Sequence, residues 1–173
     1  IQMNRFQYLK TIKDNDKFLG MEILTKHIEF KKNNPTTMFS PINDIMDIFY
    51  LSLLVGLKHD KKIDINDTNY IRGDMTPNWT DNLSETKDIL IALYVSHIIE
   101  KKDKNYSDKS EIQKILNQKL GKNPTRSISD EGMIDIHSYA FGGYLEILKN
   151  LNNKLPNDLL AFFSVINNLI KDH

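Results

Sequence analysis

Ser40–Leu57, reading SPINDIMDIFYLSLLVGL, is the stretch that decides the fold class. Serine is a favoured N-cap, Pro41 suits the first helical turn, and Asp44 and Asp47 suit the positive end of a helix dipole. Ile42, Ile45, Met46, Phe49, Leu53, Leu54 and Leu57 recur at helical intervals, and Ile48, Leu51 and Val55 widen the stripe. The spacing predicts a helix over 41–58, central to the fold and buried on most of its sides. Lys58, Lys61 and Lys62 then place positive charge at its negative end.

Toward the N-terminus, Phe6, Leu9 and Ile12 stand three apart, which predicts a short helix broken at Asp14-Asn15-Asp16. Phe18, Met21, Leu24 and Ile28 predict a second, ended by Lys31-Lys32-Asn33-Asn34-Pro35. Toward the C-terminus, residues 63–82 are irregular. Asn, Asp, Gly73 and Pro77 dominate them, and the reading is a loop with a small hairpin. A helix resumes near Ser84, with Ile89, Leu90, Leu93, His97 and Ile98 on or near one face. Asp108 with Glu111 reads as a capping box, and Gly121 as the stop of the helix that follows. Two more helices are expected over 129–150 and from Asn157 behind Pro156. The sum is an all-α, single-domain bundle of six or seven helices spanning 1–173.

Composition narrows the function classes. Hydrophobic residues make up 40% and charged residues 27% of the 173, as in ordinary globular domains. Mean hydropathy is −0.45, and no apolar run approaches a membrane span. The longest candidate, Ile45–Leu57, is interrupted by Asp47 and Ser52. There is no cysteine and no basic-then-apolar leader, so a reducing, cytoplasmic setting is expected.

Most chemistry fails on spacing. His97 and Glu100 share a helix face, but two ligands do not make a metal site. Asp64, Asn66 and Thr68 begin like a calcium loop, yet Asn69 and Met75 stand where glycine and glutamate are needed. Gly121-Lys122 lacks the rest of a phosphate loop, and no nucleophile elbow is present. The expectation is a protein without catalytic residues, metal or cofactor.

Net charge is zero, but residues 101–126 carry eight bases and three acids. Lys101, Lys102, Lys104, Lys109, Lys114, Lys119, Lys122 and Arg126 are therefore candidate phosphate contacts, set against the plainer reading of a solvated face. Only three arginines occur in the chain, which argues against a reader of base sequence.

One helix carries an unusual pair. Tyr139-Ala140-Phe141-Gly142-Gly143-Tyr144 places two glycines inside a helix, each costing about 1 kcal/mol against alanine. Close packing of another backbone, a kink, or exposed backbone for a partner would each offset that cost.

Two segments together, IMDIFYLSLLVGLKHDKKIDI over Ile45–Ile65 and IHSYAFGGYLEIL over Ile136–Leu148, resemble short accessory proteins of bacterial DNA phosphorothioation (Dnd) and related anti-phage defence systems. The resemblance implies Gly56, Tyr139, Ala140, Gly142 and Gly143 as fold or contact residues. It also implies a bacterial DNA-modification or defence context, and no more. Within that context, composition, motif spacing and charge lead to the expectation of a non-catalytic, cytoplasmic accessory protein whose partners are other protein subunits, with weak, non-specific DNA contact through 101–126 and no membrane association. The alternative class is a helical regulatory binding module, antitoxin-like or phage-derived.

Overall fold

A computed structural model describes residues 5–32, 42, 44–76, 78, 79, 83, 85–101, 108–121 and 127–171. Along the chain run β1 (Gln7–Ile12), α1 (Met21–Lys32), α2 (Ile45–Lys58), β2 (Tyr70–Asp74), α3 (Lys87–Lys101), α4 (Lys109–Lys119), α5 (Asp130–Asn150) and α6 (Leu159–Ile170). The protein is thus mostly helical, with a small two-stranded antiparallel sheet. It separates into two compact units, one from Ile1–Phe6 and Met75–His137, the other from Gln7–Asp74 and Ser138–His173. Helix α5 contributes its residues through His137 to the first unit and the rest to the second.

In the second unit, α2 is the buried helix that its apolar stripe implies. Met46, Ile48, Phe49, Leu53 and Val55 are all inaccessible or nearly so, while Leu54 is half-buried. Its start lies later than the Ser40–Pro41 reading. Asp44 is the N-cap, because its Oδ1 accepts from the Met46 N–H at 2.7 Å and the Asp47 N–H at 3.3 Å. Asp47 returns the bond to the Asp44 N–H at 3.1 Å, which closes a capping box. Ser40 and Pro41 lie outside the described residues. Helices α1 and α6 pack on α2.

The N-terminal segment is a strand where the spacing suggested a helix. Gln7 pairs with Asp74 and Leu9 with Arg72, but Thr11 pairs with Ile71, so Lys10 is an extra residue. A bulge there puts Leu9 and Ile12 on one side of the ribbon, and this reproduces a three-residue spacing without any helix. The expected small hairpin in 63–82 is present only as its second strand. The first comes from residues 7–12, and a separation of some 60 residues leaves no local sign of the pairing.

In the first unit, α3 buries Leu90, Ile91, Tyr94, Val95, Ile98 and Ile99 and turns Ile89 and Leu93 outward. That corrects the expected face, which had joined Ile89 and Leu93 to Leu90 and Ile98. Phe6 stacks on Trp79 with ring centroids 4.7 Å apart. Helix α4 is capped by Asp108, whose Oδ1 accepts from the Glu111 N–H at 3.1 Å. Its C-cap is Leu120, and Gly121 follows without a positive φ. That glycine is needed for space: an added Cβ would lie 2.6 Å from the Ile128 carbonyl oxygen. Helix α6 begins at Leu159, capped by Asp158 rather than started at Asn157.

Candidate functional site

The Gly142-Gly143 pair lies where two helices cross backbone on backbone in the second unit. A Cβ on Gly143 would strike the Ser52 carbonyl oxygen and lie 2.5 Å from the Gly56 nitrogen and 2.9 Å from its Cα. On Gly56 it would strike the Tyr139 carbonyl, and on Gly142 the Lys61 carbonyl. Close internal packing is therefore what offsets the cost of two glycines in α5. The same crossing gathers the other residues of the two quoted segments. Ala140 is fully buried, and Tyr139 carries the Lys62 ammonium 4.5 Å above its ring and donates from its hydroxyl to Asp60 at 3.4 Å. The turn after α2 is tied down further, because the Ile63 N–H donates to the Ser138 carbonyl at 3.2 Å. One turn on, the Tyr144 hydroxyl donates to the Leu19 carbonyl at 2.8 Å, and burial pushes that phenol's pKa up.

The basic segment divides. Lys101 and Lys109 are exposed, and Lys114 is exposed in an i,i+3 pair with Glu111 at 2.7 Å. That hydrogen bond and attraction hold the Lys114 pKa above its ordinary value. Lys119 is the exception, at 7% exposed. Its ammonium sits 2.6 Å from Glu131 and 2.7 Å from Asp135, so it is turned into the protein rather than toward phosphate. Burial works against that charge, but the hydrogen bonds that the ammonium donates to Asp135 and Glu131 outweigh it and raise the pKa. Asp135 also accepts from the Tyr94 hydroxyl at 3.0 Å, so one carboxylate joins α3, α4 and α5. Lys102, Lys104, Lys122 and Arg126 lie outside the described residues.

A cleft of about 290 Å³ in the second unit is lined by Tyr8, Glu22, Thr25, Lys26, Asp44 and Ile45. Glu22 accepts from Lys26 at 2.6 Å and from the Tyr8 hydroxyl at 3.0 Å. Those two bonds, Lys26 first, hold its carboxyl below the usual value. Desolvation, then the Glu22 bond, raises the Tyr8 phenol. Thr25 donates to the Met21 carbonyl and Asp44 caps α2, so the polar side chains of the lining are engaged with one another or with nearby backbone. The Glu22–Lys26 pair is legible as an i,i+4 spacing, whereas Tyr8 joins it only because β1 pairs with β2 and packs on α1.

Histidines serve the framework too. His27 donates from Nε2 to the Pro156 carbonyl at 2.8 Å, His59 from Nε2 to Leu169 at 2.7 Å, and His137 from Nδ1 to Met133 at 2.6 Å. Among the described residues no three potential metal ligands gather, and no helix is long and apolar enough to cross a membrane.

The surface feature that the sequence did not single out is the outer face of α3. Ile89 is 61% exposed and Leu93 48%, one turn apart, with exposed Ala92 between them. An all-apolar stretch gives no sign of which face is covered. No family model, curated protein or solved structure matches the chain.

Proposed function

We propose that the chain is a non-catalytic interaction protein that meets a protein partner through the outer face of α3. The observation that carries this reading is the run Ile89–Val95 in α3, apolar on both sides, with Ile89, Ala92 and Leu93 left exposed. A helical stretch apolar all round is normally buried, and in its first turns α3 leaves Ile89 and Leu93 in water, where a second surface would cover them. Residues suited to acid–base work support the same reading from the other direction, since His27, His59 and Lys119 tie separate segments together and His137 bonds back to the Met133 carbonyl within α5.

The setting is an accessory role in a bacterial DNA-modification or anti-phage defence complex, and the resemblance of Ile45–Ile65 and Ile136–Leu148 supplies that part of the proposal. DNA contact in this role is weak, salt-sensitive and indifferent to sequence, and falls to exposed lysines such as Lys101, Lys109 and Lys114. The experiment is co-expression with the products of neighbouring genes, followed by size-exclusion chromatography with light scattering. The wild type should co-elute with one of them, and the Ile89→Glu/Leu93→Glu variant should elute alone with unchanged helical content. A wild type that always elutes alone, or a variant that keeps its partner, refutes the reading.

A further inference from the structure

We infer that α4 is a latch, a helix that opens from the first unit as one piece while α3 and α5 stay folded, and that Lys119 is its catch. Of the eleven residues of α4 only Ile115 and Lys119 are buried, and one of those two is charged. Ile112, Leu116 and Leu120 are only half-buried, and the C-terminal end is tied by a set of polar contacts. Lys119 pairs with Glu131 and Asp135, and Gln118 donates to Glu131 at 2.7 Å. The Ser129 hydroxyl donates to the Gln118 carbonyl at 2.6 Å and the Ser129 N–H to the Lys119 carbonyl at 3.0 Å. At the other end Lys109 and Ser110 face solvent.

The type of bond decides how this seam behaves. An apolar seam loses its whole stabilisation when it opens, because its surface is returned to water. A buried ion pair regains on opening the hydration that it gave up on closing, so the net cost of separating it is small. Helices α3 and α5, with six buried apolar side chains on α3 alone, lack that release. Opening is therefore local, in the manner of other low-stability elements with few buried apolar contacts. It uncovers the part of α3 on which α4 rests, and it exposes Asp135 and Lys119. This holds whatever partner the outer face of α3 meets.

Native-state hydrogen exchange in low urea tests the inference on the wild-type chain. The amides of Ile115–Lys119 should exchange at least about 10-fold faster than those of Tyr94–Ile98 and Met133–His137, with a shallower urea dependence, since local opening exposes little surface. Equal rates and slopes across the three helices overturn the latch. Lys119→Met keeps the apolar stem and removes the charge, leaving two carboxylates unpaired. It should speed α4 exchange by about 10- to 100-fold and leave α3 and α5 unchanged, the half-exposed Glu131 limiting the loss. Uniform acceleration of all three helices, or no acceleration of α4, refutes the role of Lys119.

Discussion

Replacing Gly143 with alanine sets two effects of opposite sign against each other, and the structure says which one wins. In a solvent-facing helix the change would stabilise by up to about 1 kcal/mol, through better helix propensity and a less free unfolded chain. In α5 the new methyl carbon would overlap the Ser52 carbonyl oxygen and come within 2.5 Å of the Gly56 nitrogen. Carbon–oxygen approaches of about 3.3 Å are already the close end of what helix interfaces tolerate, so α2 and α5 must separate by roughly 1 Å. The obstructing atoms are backbone, which cannot rotate away as a side-chain tip does. Overpacking of this kind costs about 1–3 kcal/mol, and the separation also loosens the dispersion contacts along both helices. The net expectation is a loss of about 1–3 kcal/mol, or roughly 2–12 °C in Tm at this chain length. Urea and thermal unfolding followed by circular dichroism read it, with size exclusion to show that the variant is otherwise intact. Gly56→Ala should behave alike, and the double variant should cost less than the sum, because one separation accommodates both methyls. A Gly143→Ala protein that melts at or above the wild type would show that α2 and α5 are not in backbone contact.

Two further outcomes follow from the second unit. Leu53→Ala should lower the urea midpoint by an amount equivalent to about 2–5 kcal/mol, and Leu54→Ala, half-buried, should cost clearly less. Equal effects would mean that the buried face of α2 is misplaced. Glu22 has a folded-state pKa below its ordinary 4.5, so its bonds to Lys26 and Tyr8 add stability above that value and lose it as the pH falls through the lowered one. Melting curves of wild type and Glu22→Gln should accordingly differ near neutrality and converge as the pH falls through that lowered value. A gap that persists unchanged to low pH would show that the carboxylate charge is not what the site uses.

Which parts of the molecule were readable without coordinates follows from the range of the forces involved. Helix α2 was legible because its periodicity and caps lie within the segment they describe. Even there the start moved to Asp44, since several polar residues nearby were chemically fit to cap and only the backbone's path selects one. The glycine pair of α5 was legible as a cost that something had to offset, because propensity is local. That Ser52, Gly56 and the Lys61 carbonyl do the offsetting was decided by a helix crossing between segments some 90 residues apart. Strand β1 was misread because a bulge at Lys10 copies a helical interval, and its partner β2 lies far along the chain. The charge of Lys119 was plain, but its direction was not. A last-turn lysine faces water unless carboxylates from another helix surround it, and Glu131 and Asp135 do so only once α4 has folded back on α5. In α3 the run Ile89–Val95 is apolar on every side, so periodicity put Ile89 and Leu93 on the wrong face; which side is covered was settled by what packs against it. Local sequence sets propensity and pattern, whereas burial, pairing and the fate of each charge depend on neighbours that only the folded chain supplies.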